Sequence, residues 1–266
     1  MRELINYTLH LADNSLILGH RNSEWCGHGP ILEQDIALTN IALDLIGQAR
    51  YLYQYAARLI NENPGASDLI FDASPVTEDT LAYFRDTRQF RNCLLVEQPN
   101  GDWAQTLLKQ FLFSAYQYPL YTALQKSADK ELCAIAEKAI KEVSYHLRWS
   151  GEWIIRMGDG TSESHKRLMH AFDELWMYTG ELFIPSEEEK LLVNNGISAN
   201  LVSVKESWMA RVEQVFVDAN LPLAHIRDQK PTIFQKGGKE GRHSESLGYI
   251  LAEMQFVQRA YPGNEW

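Results

Sequence analysis

The chain has 266 residues, 45% of them apolar and 23% charged, and 25 lysines and arginines against 35 aspartates and glutamates leave a net charge of −10. This length can bury a sizeable core, and the composition excludes an intrinsically disordered chain. The acidic balance argues against broad attraction to nucleic acid or to an anionic membrane, while leaving room for a local basic patch that takes a phosphorylated small molecule.

Cys26, Cys93 and Cys133 are odd in number and far apart. They suggest neither a thiolate zinc site nor a disulfide framework, and are expected to be small buried residues. No apolar run nears the roughly 18 residues of a membrane span. Met1-Arg2-Glu3-Leu4 lacks the pattern of a signal peptide, so a cytoplasmic location is expected.

Helical periodicity dominates and strand-like alternation is scarce. A first helix is predicted from about Glu3 to Arg21, stopped by Cys26-Gly-His-Gly-Pro30, and a second from about Leu32 to Asn61, ended by Asn63-Pro-Gly65. Residues 64 to 79 read as a loop before a short helix from about Glu78 to Phe90. Asn92 to Gly101 reads as irregular. Asp102 is a good N-cap for a third long helix, Trp103 to Ala128, which Pro119 should kink. The fourth spans about Lys130 to Met157, closed by Gly158-Asp-Gly160. Further helices are predicted at 163–180, 200–218 and 245–260, with a basic loop, Gln235 to His243, ahead of the last. The whole, residues 1–266, reads as one all-α domain: a bundle of long helices with additional C-terminal helices.

The best-known use of such a bundle is to hold two irons, with a Glu from each of two helices and a Glu-x-x-His from each of the other two. That set is incomplete. The third helix, 103–128, has no aspartate or glutamate, and no histidine lies between His28 and His146. The second helix offers Asp44 but Gly47 three residues on, and the fourth offers Glu142 with Tyr145 at that spacing and His146 one position late. Asp13 on the first helix and Gln117 on the third complete a degenerate set that cannot neutralise two irons. No catalytic residue, metal or cofactor is therefore assigned.

Polar stripes mark several helices: Asn6, His10, Asp13 and Asn14; Asn40, Asp44, Gln48, Tyr51, Tyr55 and Arg58; Gln110, Ser114, Gln117 and Tyr121. Each could be a solvated face or a buried seam in which every group needs a partner. Asp44 or Glu142, if buried, would be balanced by hydrogen bonds or by a cation such as Lys141. His165, His170, Asp173 and Glu174 read as a solvated face, and Glu240-Gly-Arg-His243 matches Glu-x-x-His only by letter, within a loop. Lys236, Lys239, Arg242 and His243 could instead form a ligand or partner loop, with phosphate held at the helix starting near Ser244. Trp25, Trp103, Trp149, Trp153, Trp176 and Trp208 lie on or beside helices that could pack against a second protomer, a homodimer included.

Four segments carry a resemblance over nearly the whole chain: Glu24-Trp-Cys-Gly-His-Gly-Pro30 through Gln48-Ala-Arg50; Asn92-Cys-Leu-Leu-Val-Glu-Gln-Pro-Asn-Gly101; Lys138-Ala-Ile-Lys-Glu-Val-Ser-Tyr-His-Leu-Arg148; and Gly237-Gly-Lys239 through Ala252-Glu-Met-Gln255. Together they resemble the non-catalytic C subunits of bacterial phenylacetyl-CoA epoxidases. The resemblance implies a ferritin-like fold and a structural, metal-free role in aerobic phenylacetate degradation. It also implies a partner: a related A subunit that holds the di-iron centre, alongside a small B subunit and a flavin and iron–sulfur reductase using NADPH. Two other readings stand beside it. One is a catalytic di-iron subunit using Asp13, Asp44, Glu142 and His146; the other is an acyl-CoA-binding module acting through the 236–243 loop.

Overall fold

Apolar side chains at helical spacing close two antiparallel pairs of long helices, one pair in each of two compact units. The computed structural model describes residues 1–69, 71, 75–222 and 235–264, and among these there is no strand. The expected all-α, ferritin-like class holds.

The first unit comprises Met1–Pro99, Ser186–Leu192 and Gly237–Trp266. Its centre is the hairpin of α1 (Arg2–Ser23) and α2 (Leu32–Glu62). Gly27, at φ 80°, makes the turn between them, and its N–H donates to the Asp35 carboxylate at 3.1 Å. Contacts run in opposite senses along the two helices: Gly19 faces Ala42, Leu45 and Ile46, while Asp13 meets Tyr53. A Cβ at Gly19 would sit 3.0 Å from the Ile46 side chain, so glycine sets how closely the helices approach. Leu9, Leu16, Ile17, Leu38, Ile41, Leu45 and Leu52 are almost wholly buried along this contact. Each such side chain contributes roughly 1.5–3 kcal/mol.

Around this hairpin lie α3 (Glu78–Tyr83), α4 (Leu94–Glu97), α10 (Glu245–Met254) and α11 (Phe256–Ala260). The helix predicted to Phe90 ends at Tyr83 for a specific reason. The Arg85 side chain turns inward and its Nε donates to the Leu81 carbonyl at 2.6 Å, taking the acceptor that a continuing helix would use. The helix predicted over 245–260 breaks at Gln255, whose amide donates to the carbonyls of Ala82 and Arg85.

The second unit comprises Asn100–Pro185 and Val193–Lys236. It pairs α5 (Trp103–Leu124) with α6 (Lys130–Gly158), and α7 (Ser162–Leu175) and α9 (Leu201–Asp218) pack on that pair. Asp102 caps α5 by accepting from Gln105 N–H, and Asp129 caps α6 by accepting from Glu131 and Leu132 N–H. The helix predicted to Ala128 stops four residues earlier, since Ala128 N–H goes to the Gly196 carbonyl at 2.9 Å. It runs through Pro119 without interruption.

Trp176, Trp208, Phe172 and Phe216 form one buried aromatic cluster, with Trp208 Nε1 donating to the Leu112 carbonyl. Of the six tryptophans on helices that could face a second protomer, three, Trp149, Trp176 and Trp208, are buried in the core, and Trp25, Trp103 and Trp153 are half-buried. Of the cysteines only Cys93 is buried; Cys26 is exposed. The chain passes between the two units through α8 (Glu187–Asn194), a charge-rich helix that periodicity does not predict.

Candidate functional site

The first unit buries several charges that an apolar core would reject unless each is matched. The α1 stripe is a seam rather than a solvated face, for His10, Asp13 and Asn14 are all buried. Asp13, with no exposed surface, has both oxygens engaged. Oδ1 accepts from the Tyr53 hydroxyl at 2.5 Å and from Arg85 Nη2; Oδ2 accepts from Arg85 Nη1 at 3.1 Å and from Arg91 N–H at 2.7 Å. The guanidinium also lies 4.2 Å from the Phe90 ring centroid, a cation–π contact that helps a desolvated cation. Burial, then the Asp13 charge, pushes the Tyr53 phenol well above its ordinary value, so it stays a donor. Burial opposes the Arg85 charge, yet Asp13 and Tyr53 more than offset it and hold the guanidinium protonated.

Two further pairs tie the C-terminal segment to this unit. Glu97 is fully buried; Oε1 accepts from Ser244 N–H at 2.6 Å and Oε2 from Asn92 Nδ2 at 2.9 Å and His243 Nδ1 at 2.8 Å. His243 Nε2 lies 3.0 Å from the Phe90 carbonyl, so both ring nitrogens face oxygen atoms. Lys239 pairs with Glu189 at 2.8 Å with both side chains nearly buried. Beside them His10 is held neutral by burial and by the Lys239 charge, with its Nδ1 2.7 Å from the Arg91 carbonyl.

The basic loop is therefore largely spent internally. Lys239 is bound to Glu189, Arg242 pairs with Glu240, and His243 pairs with Glu97. The α10 N-terminus, expected to offer N–H donors to phosphate, gives Ser244 N–H to Glu97 instead. Lys236 is exposed.

The remaining predicted positions divide between the units. In the first, Asp44 and Gly47 are half-buried, and a Cβ at Gly47 would meet nothing within 4 Å, so the position has room for a side chain it does not carry. In the second, Gln117 and His146 are buried, Glu142 is half-buried, and Tyr145 is 37% exposed. Lys141, the cation expected beside a buried carboxylate, points to solvent. On α5, Gln110 and Ser114 are buried and bonded to each other at 2.8 Å, and Lys109 donates to Asn100 Oδ1 at 2.9 Å. On α7, His170, Asp173 and Glu174 are exposed, as a solvated face requires.

Among the described residues no three His, Cys, Asp or Glu side chains come together as metal donors. Asp13, the most buried predicted carboxylate, is saturated by a guanidinium and two further donors. This set does not fit a two-iron centre, which needs free, convergent carboxylates and imidazoles. Sequence reasoning missed Arg85, Glu97 and Glu189 as partners. The available signal was Asp13 itself, flanked by Leu9, Ala12, Leu16 and Ile17, where a carboxylate demands a buried cation.

His20, near the end of α1, has no such partner to favour its charged form. Burial lowers its pKa from 6.5 to about 4. The folded protein thus binds this proton less readily than the unfolded chain does. Stability is full above about pH 6.5 and falls as pH drops towards 4, by about 3 kcal/mol in all. His20→Gln is expected to flatten the stability profile over that window; an unchanged slope in urea titrations at pH 4.5 to 7 would reject this assignment.

The helix inventory defines an all-α, ferritin-like protein. The chain belongs to the family described as phenylacetic acid catabolic protein, whose family model matches residues 1–266. It is 44% identical over 266 residues, the full length of both chains, to the C subunit of 1,2-phenylacetyl-CoA epoxidase from Escherichia coli (strain K12). No helix among the described residues is long and apolar enough to cross a membrane.

Proposed function

We propose that this chain is the structural, metal-free component of a phenylacetyl-CoA epoxidase complex in phenylacetate degradation, working in the cytoplasm. It pairs with a di-iron catalytic subunit of the same fold family and stabilises it. The observation that carries this reading is the full-length identity to an epoxidase C subunit. The Asp13–Arg85 pair supports the metal-free part, because it fills with an internal cation a carboxylate that a metal would claim.

A surface for the partner is available on α2. Leu32, Ile36 and Leu43 are 71%, 52% and 61% exposed, and at 100° per residue they fall within about 40° of one another around the helix. Such a stripe of large apolar side chains is unusual on a face left to water. Ile36→Asp with Leu43→Asp is expected to abolish co-purification with the catalytic subunit while leaving the thermal midpoint of this chain unchanged. Epoxidation by the catalytic subunit and reductase should then fall to the level seen without this chain. Near-stoichiometric iron in the purified chain, or phenylacetyl-CoA turnover by this chain and a reductase alone, would overturn the proposal.

A further inference from the structure

The second unit contains a groove whose chemistry the structural role does not use. It lies between α5, α6 and α9 and encloses about 730 Å³, within the usual range for small-molecule sites. Three cations, Lys126, Arg148 and Arg211, line it, and no lining residue is acidic. In a chain of net charge −10 that segregation is notable, the more so because none of the three is in a salt bridge among the described residues. The nearest charged neighbours on α9, Lys205 and Glu206, fall outside the face formed by Asn200, Ser203, Val204, Ser207 and Arg211.

Two further features converge there. Asn200 is the N-cap of α9, an 18-residue helix, so its first turn brings a positive dipole end and the Ser203 hydroxyl to the same groove. Opposite, Tyr118, Pro119 and Ala115 give an apolar wall. Pro119 lies inside the helix and turns its ring to that wall. The groove thus offers cations and a helix N-terminus for an anion, and flat apolar surface for a ring.

We propose that this groove binds a phosphorylated adenine nucleotide, its phosphates against Lys126, Arg148 and Arg211 and its base against Tyr118 and Pro119. The same chemistry is offered by a free nucleotide and by the nucleotide handle of a coenzyme A ester. Binding is a property of the isolated chain, so the proposal stands or falls separately from pairing with a catalytic partner.

The test is calorimetric titration of the full-length chain with ADP, coenzyme A and inorganic phosphate, repeated on the Arg148→Ala/Arg211→Ala variant. Saturable binding of ADP or coenzyme A is expected, tighter than that of phosphate and weakened about tenfold or more in the variant, as loss of charge-assisted bonds requires. Tighter binding of coenzyme A than of ADP assigns the handle; the reverse assigns a free nucleotide. The absence of saturable nucleotide binding, or affinity that the variant fully retains, overturns the proposal. Should the double variant fail to fold, Lys126→Ala and a salt series on the unaltered chain replace it. Affinity must then fall with added salt, and a flat response likewise overturns the proposal.

Discussion

Replacing Arg85 with methionine is expected to cost about 3–5 kcal/mol of stability, a large share of what a domain possesses. The reason is asymmetric. The Asp13–Arg85 pair adds little net stability by itself, since both ions had to leave water, but removing the cation strands a carboxylate with no solvent access. Tyr53 and the Arg91 N–H would still donate to Asp13 and cannot supply the charge. Asp13→Leu alone should be comparably harmful, because the guanidinium then lacks its counter-ion. The double variant, Asp13→Leu with Arg85→Met, should recover most of the loss. Denaturant midpoints for the two single variants and the double variant measure this directly. Arg85→Met within 1 kcal/mol of the unaltered chain, or strict additivity in the double variant, would show that the pair is not the closed unit described above.

Glu97→Ala should act almost as strongly, and more locally. One carboxylate takes hydrogen bonds from the Asn92 amide, the His243 ring and the Ser244 backbone, so its loss leaves three buried donors unmatched. About 3 kcal/mol or more is expected, and it should fall on the junction between α4 and α10. Hydrogen exchange is the readout of choice. Protection should drop in residues 243–254 and in the turn around Asn92 while α5 and α6 keep theirs. A uniform loss across both units would contradict the local account. Glu97→Gln should fall between the two, since it keeps an acceptor but gives up the charge that faces His243.

The long helices were legible because their ends are punctuated. Gly27 and Pro30, Pro64 and Gly65, Asp102, and Gly158 with Gly160 bound α1, α2, α5 and α6 to within a few residues. Shorter elements were not, because tertiary contacts decide them. Arg85 ends α3 by turning its own side chain onto the Leu81 carbonyl, and no local pattern encodes that. Helix α8 begins Glu187-Glu-Glu-Lys190, and its charges hide the burial of Glu189 and Leu192. The polar stripes show the same limit. Periodicity placed His10, Asp13 and Asn14 on one side of α1, but whether water or Arg85 faced them depended on residues more than 70 positions away. The departures at Gly47 and Tyr145, in contrast, were read from spacing along the helices, which needs no tertiary contact to be seen.

The first unit is assembled from three stretches of chain, and this bears on the order in which it can form. Asp13 and Arg85 both leave the ribosome early, so the pair that neutralises α1 can close while synthesis continues. Glu97 must wait for His243 and Ser244, with 146 residues still to be made. At roughly 5–20 residues per second that is an interval on the order of ten seconds or more. During it the α4 carboxylate has only Asn92 of its three donors, and the α2 face bearing Leu32, Ile36 and Leu43 is already translated. The nascent chain thus offers its apolar stripe before its own last helices can lock into place, and a chain bound at that stage would be joined to its partner before it has finished folding.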